Sequence, residues 1–220
     1  MMLSDTKPAP APVATQSENL TPDHWFGVPV WSRVIAAHPS LNPLLLDATA
    51  RLEATTPSIH RSNVGGWHSP PDLHRHEDFA AMRRIVERMA VGCANSLGFD
   101  FARADLIFQG MWANRNGPGD YNKPHVHPNA VLSGIYYVKV PPASGNIEFH
   151  DPIRERTMTS YPVRPGAEAA RKRLEYKCRD GLLLIFPSWL SHSVQPNASD
   201  AARVSIAFNI ESIPKRRPPA

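Results

Sequence analysis

Three histidines and one arginine carry the chemistry of this sequence. His125-Val126-His127 is a histidine pair two residues apart. On an extended chain alternate side chains share a face, about 6.6 Å apart along the strand, so both imidazoles can converge on one metal ion. The chain holds a second such pair, His74-Arg75-His76, and with ten histidines in 220 residues spacing alone does not separate them. That second pair lies in a charged lead-in to a helical pattern and reads as surface. The first has a sequel. In Gly181-Leu-Leu-Leu-Ile-Phe-Pro187-Ser-Trp-Leu-Ser-His192 an apolar strand runs into a proline turn, and a lone histidine follows on the next strand. Eleven residues further on, Arg203-Val204-Ser205 puts a guanidinium and a hydroxyl on one side of a strand that otherwise reads VSIAFNI. An arginine there is costly to bury without an anion, and its planar fork suits a carboxylate gripped at two points. The alternative is an arginine solvated at the mouth of its strand.

Such residues need a β scaffold, and the pattern supplies one. From Asp105 onward, runs rich in β-branched and aromatic residues (LIFQGMWANR, PHVH, AVLSGIYYVKV, NIEFH, LEYKC, LLLIF, WLSHSV and RVSIAFNI) are separated by Gly, Pro, Asn and Asp. Two helices precede them. One opens with Asn42 as N-cap and Pro43 at the first helical position and runs to about Ala54. The other spans about Glu77 to Leu97, where Phe79, Met82, Val86, Met89, Cys93 and Leu97 recur at three- and four-residue steps and Gly98 supplies the stop. Cys93 belongs to that core face, with nothing nearby to lower its pKa. Helices followed by about eight short strands predict a mainly β fold with helical N-terminal support, a double-stranded β-helix or jelly roll.

A chain of 220 residues suits one domain. It is expected over 21–213, with helices at about 43–97 and the jelly roll at about 105–211. A Pro/Ala-rich arm at 1–20 reads as disordered, and 214–220 forms a basic tail. With 42% hydrophobic and 20% charged residues the chain is neither collagenous nor wholly disordered, and 23 prolines argue against a helical bundle. No apolar run is long enough to cross a membrane, and residues 1–20 lack the apolar core of a secretory signal. Cys93 and Cys178, the two cysteines, cannot build a disulfide framework or a zinc site alone, which points to a cytoplasmic setting. The net charge of +4 accommodates an anionic ligand but is too diffuse to indicate nucleic acid. A homodimer is left open.

The order HxH, an aromatic strand, an acidic turn after a glycine, G-apolar-FP…H and then RxS resembles the 2-oxoglutarate/Fe(II)-dependent oxygenases. Within them the chain looks like the bacterial group near the prolyl-hydroxylase type. Ser62-Asn-Val-Gly-Gly-Trp67 and Leu132-Ser-Gly-Ile-Tyr-Tyr137 look like signatures of that group. The resemblance implies a dioxygenase with Fe(II) as metal and 2-oxoglutarate as co-substrate, hydroxylating a small-molecule or peptidyl substrate and releasing succinate and CO2. It gives His125 the role of the proximal histidine of the HxD/E motif and His192 that of the distal one. Arg203 then matches the residue that pairs with the far carboxylate of 2-oxoglutarate, with Ser205 as its hydroxyl helper. Tyr137 matches a tyrosine that contacts the same carboxylate. Alternation agrees, since Ser133, Ile135 and Tyr137 share one strand face while Tyr136 lies on the other.

One position departs from the family pattern. His127 stands where most of the superfamily has Asp or Glu, although the usual facial triad is two histidines and a carboxylate. Three arrangements follow. His127 is itself the third ligand, or Asp151 in Glu148-Phe-His-Asp151 completes the site, or the site has two histidines with an exogenous ligand or no catalytic role. Trp112 and Asn114, just upstream of the metal pair, are candidates for the substrate pocket. Trp67 in its Gly-Gly-Trp turn is a candidate lid, and His150 and Trp189 are near the site in pattern. One rival reading is a three-histidine dioxygenase of cupin type working without 2-oxoglutarate. Cupins share the HxH pair, but usually add a glutamate where this chain has Val131 and Leu132, and they have no need of the RxS pair. The other rival is a non-catalytic jelly-roll binding module.

Overall fold

The computed structural model describes residues 27–153, 158, 162, 164, 165 and 173–215. The expected arm at 1–20 and the tail beyond Lys215 lie outside the described residues. In chain order the elements are β1 (Trp31–Val34), α1 (His38–Thr55), β2 (Asn63–Val64), β3 (Trp67–His68), α2 (Ala80–Ser96), β4 (Ala104–Asn116), β5 (Tyr121–His125) and β6 (Leu132–Lys139). They continue with β7 (Ile147–His150), β8 (Arg173–Tyr176), β9 (Leu182–Pro187), β10 (His192–Val194) and β11 (Arg203–Pro214). The strands form two antiparallel sheets. One is six-stranded in the order β1-β9-β6-β11-β4-β3, and the other is five-stranded in the order β2-β5-β10-β7-β8. This is the mainly β jelly roll with helical N-terminal support that the pattern predicts.

The six-stranded sheet is covered on both faces, which explains its near-continuous apolar strands. Leu41 and Leu45 of α1 and Met82 and Val86 of α2 pack on Tyr136, Val138, Ile206 and Phe208 on one side. On the other side Ile135, Tyr137, Leu184 and Phe186 meet Ile147, Phe149 and Val194 of the five-stranded sheet. Strand alternation divides β6 accordingly, Tyr136 facing the helices and Tyr137 the space between sheets.

Three local expectations are corrected. Helix α1 begins at His38, so that Pro39 occupies its first turn and Pro43 falls inside it. Asn42 is therefore no cap. Its side-chain amide donates to the Val138 carbonyl at 2.7 Å and its oxygen accepts from the Tyr136 hydroxyl at 2.6 Å, which satisfies a buried phenol and ties α1 to β6. Helix α2 begins at Ala80 after a single 3-10 turn over Glu77–Phe79, and Gly98, at φ 74°, ends it as expected. Leu97, expected on the core face, is exposed. The four-residue β1 and the two-residue β2 and β3 escape the sequence pattern, because so few residues show no period.

Candidate metal centre

Strand register brings the first two histidines together. His125 ends β5 directly opposite His192 on β10. His127 stands two residues beyond the end of β5 rather than on the expected strand, and its backbone N–H donates to the Ser188 carbonyl at 3.0 Å. The ring centroids lie 4.3 Å apart for His125 and His192, 5.0 Å for His125 and His127, and 5.2 Å for His127 and His192. One ligand nitrogen from each ring lies within 4.8 Å of the others.

Backbone carbonyls set the tautomers. Nδ1 of His125 is 2.7 Å from the Lys123 carbonyl and Nδ1 of His192 is 2.9 Å from the Leu190 carbonyl. A carbonyl can only accept, so each Nδ1 carries the proton and each Nε2 keeps its lone pair for a metal. Burial holds the rings neutral. It pushes His192 down to about 3, helped by His125 beside it, and His127 down to about 4, again with His125 adding. His125 is lowered by burial as well. Three neutral imidazoles on one face fit a first-row divalent ion, since nitrogen donors of this kind suit iron, nickel, copper and zinc. Asp151 is not in this group; its carboxylate accepts from the Ile153 N–H at 2.9 Å.

Behind the histidines lies a cavity of about 480 Å³, which Arg203 and Ser205 also line. That is within the usual range for a small-molecule site, about 300–1,000 Å³. Arg203 is only 1% exposed, so it is not solvated at the strand mouth. Its Nη1 donates to the carbonyls of Ser144 and Gly145. Gly145 has φ 81°, and a Cβ there would meet the Gln195 carbonyl at 2.6 Å, so only glycine lets this loop brace the guanidinium. Nη2 of Arg203 and the hydroxyl of Tyr137 are buried without a partner. Burial lowers the Arg203 pKa and, with Cys178 nearby, raises that of Tyr137 well above 10, so both groups remain donors at neutral pH. An orphaned buried donor costs roughly 1–3 kcal/mol, and the free Nη2 of Arg203 in the cavity wall fits an anion. Tyr137 does not line the cavity; its hydroxyl is buried near Arg203 and the Cys178 thiol. Ser205 is in register with Tyr137 on one side and Asn114 on the other.

The remaining expectations divide. Trp112 and Asn114 line the cavity. Trp67 does not: its ring is buried in the core beneath the helices and its indole N–H donates to the Thr56 carbonyl at 2.9 Å. Alternation gives the cavity face to its neighbour His68 instead, which stacks on Trp112 with centroids 5.5 Å apart and planes 10° from parallel. His150 pairs with Ser193 at 2.9 Å, and Trp189 is 57% exposed; neither lines the cavity. His74 is half-buried rather than on the surface, stacked on Phe108, while His76 pairs with Asp72 at 3.3 Å. Sequence reasoning missed His68, Arg61, Gln109, Asn116 and Asn209 as lining residues. Asn116 was within reach, since it shares a strand face with Trp112 and Asn114.

Residues 110–209, just under half of the chain, match the family described as "Putative 2OG-Fe(II) oxygenase". No curated protein sequence matches. Among solved structures, a prolyl-4-hydroxylase from Pseudomonas putida superposes with a TM-score of 0.59 at 14% identity, covering 84% of this chain and 93% of that one. The non-heme α-ketoglutarate-dependent epimerase SnoN from nogalamycin biosynthesis gives 0.61 at 18%, covering 84% and 76%. HygX from Streptomyces hygroscopicus, solved with nickel, 2-oxoglutarate and hygromycin B bound, gives 0.58 at 12%, covering 84% and 83%. At these identities the likeness establishes the jelly-roll fold. Among the described residues, no helix is long and apolar enough to cross a membrane.

Proposed function

We propose that the chain, whose residues 110–209 match the family described as "Putative 2OG-Fe(II) oxygenase", is a 2-oxoglutarate/Fe(II) oxygenase that hydroxylates a small-molecule or peptidyl substrate with release of succinate and CO2. The observation that carries this reading is the buried Arg203, its Nη2 unpartnered, in the cavity that the three histidines line. His125, His127 and His192 would hold the metal through neutral nitrogens. Arg203 would pair with the far carboxylate of 2-oxoglutarate, with Ser205 adding a hydroxyl donor from the same strand face and Tyr137 buried beside the guanidinium. When bound, Fe(II) and 2-oxoglutarate supply the oxidising chemistry, one atom of dioxygen entering the substrate as a hydroxyl and the other entering succinate as CO2 leaves. The chain's own contribution is placement. The sheets fix donor positions before any ligand arrives, and the apolar walls of Ile135, Ile147, Phe186 and Val194 keep bulk water from the centre. The free thiols of Cys93 and Cys178 fit a reducing, cytoplasmic setting.

A three-histidine face also suits a dioxygenase that works without 2-oxoglutarate. Arg203 separates the two, because that chemistry gives a buried guanidinium nothing to pair with. Anaerobic addition of 2-oxoglutarate to the Fe(II)-loaded protein tests the choice: a weak visible charge-transfer band is expected. Metal binding with no such band, and no 2-oxoglutarate affinity by calorimetry, would overturn the reading.

A further inference from the structure

Once metal and co-substrate groups are set aside, one wall of the cavity remains unused. Its charges have one sign. Among the described lining residues there is no aspartate or glutamate, and besides Arg203 the one remaining arginine is Arg61, exposed at the rim. Its guanidinium makes no ion pair or hydrogen bond with the described residues, yet lies close enough to His68 to disfavour a charge there. His68 is buried, and its Nδ1 lies 2.7 Å from the Ser69 carbonyl. Nδ1 therefore carries the proton and Nε2 keeps an acceptor lone pair, the same device that fixes His125 and His192. His68 is nevertheless outside the three-histidine group, so this lone pair is free for something other than the metal. Flat against His68 lies Trp112, whose ring also tilts toward His127 at 5.8 Å.

We infer that Arg61, His68 and Trp112 form the substrate subsite, and that the substrate is a carboxylate with a neutral N–H or O–H donor beside it and a flat or apolar group. The carboxylate pairs with Arg61 at the rim. The neighbouring donor is accepted by Nε2 of His68, and the flat group lies along Trp112. An ammonium-bearing substrate is disfavoured, because it would meet Arg61 with no acid in the described wall to offset the repulsion. N-acyl amino acids, C-terminal peptides and aryl hydroxy acids share this chemistry. The inference rests on the oxygenase reading only for which molecule the subsite serves.

The test uses the full chain loaded with Ni(II) and 2-oxoglutarate, so that nothing turns over, and calorimetry with three matched probes. N-acetylphenylalanine carries all three features, N-acetylphenylalaninamide lacks the carboxylate, and 3-phenylpropionate lacks the N–H. N-acetylphenylalanine is expected to bind about fivefold or more tightly than the amide, a modest ratio because the ion pair is at an exposed rim. It should exceed phenylpropionate by about two- to tenfold, the span of one neutral hydrogen bond. Arg61→Gln, at an exposed position, should bring the acid down to the affinity of the amide while leaving Ni(II) and 2-oxoglutarate binding unchanged. His68→Leu should remove the preference for the N–H. If the acid binds no better than the amide, absence of binding included, or Arg61→Gln leaves the ratio intact, the subsite assignment is overturned. Failure of the wild-type protein to take up Ni(II) or 2-oxoglutarate would instead count against the oxygenase reading.

Discussion

Ser205 on β11 and Tyr137 on β6 face one another in register, and Arg203 stands two residues before Ser205 on the same strand face. Arg203 and Ser205 thus face the cavity from β11, with the Tyr137 hydroxyl buried near the guanidinium, while His125 and His192, opposite each other on the facing sheet, supply nitrogens. The distance between the two clusters is set by the packing of one sheet on the other, not by any loop.

Arg203→Ala should weaken 2-oxoglutarate by about two to four decades, because each hydrogen bond to a charged group contributes roughly 1.5–3 kcal/mol and the fork provides two. Metal affinity should barely change. Arg203→Lys keeps the charge without the fork and should lose less. Calorimetry at fixed metal reads both, and an unchanged 2-oxoglutarate constant in the alanine variant would refute the clamp.

His192→Ala removes a nitrogen that its backbone partner Leu190 holds in the metal-binding tautomer. Metal affinity should fall by at least about 100-fold, more than loss of an outer partner costs. Near-normal iron or nickel binding in this variant would sink the ligand assignment.

Position 127 tests which residue completes the face. If His127 does, His127→Asp preserves metal binding and His127→Ala abolishes tight binding, while Asp151→Ala is mild. The reverse ranking, read by metal titration of the three variants, would transfer the role to Asp151.

Metal-free protein should lose stability on mild acidification. His127 and His192 sit at about 4 and about 3 in the folded chain, against an ordinary value of 6.5. Above pH 6.5 neither folded nor unfolded chain binds these protons. Below it the unfolded chain takes them up first, so stability falls between 6.5 and about 3. Thermal melts at pH 7.5 and 5 should show the drop, and His127→Asn should show less of it. Equal drops in both proteins would contradict a neutral buried His127.

Much of the fold was legible because its strands are long enough to display a period. The thirteen residues of β4 and the eight of β6 announce themselves. The two residues of β3 do not, and with them the sequence concealed that His68 rather than Trp67 faces the cavity. Asn42 was misread for a related reason. An asparagine before a proline satisfies every local rule for a helix start, and only the buried Tyr136, ninety-four positions away, shows what its amide is for. The histidines and Arg203 were legible because unusual residues in apolar strands stand out against their surroundings. The rim residue Arg61 sits in a loop where an arginine needs no explanation.

Tyr136 and Tyr137 are consecutive on β6, yet one hydroxyl is held by helix α1 and the other is buried on the opposite face of the sheet, near Arg203 and Cys178. A slip of β6 by one residue would turn both to the opposite face, taking the Tyr136 hydroxyl from Asn42 and the Tyr137 hydroxyl from Arg203. Helix α1 therefore helps fix the register of the six-stranded sheet, although none of its residues lines the cavity. A chain shortened past α1 would retain every proposed ligand and co-substrate contact in its sequence, and still lose the constraint that aligns them.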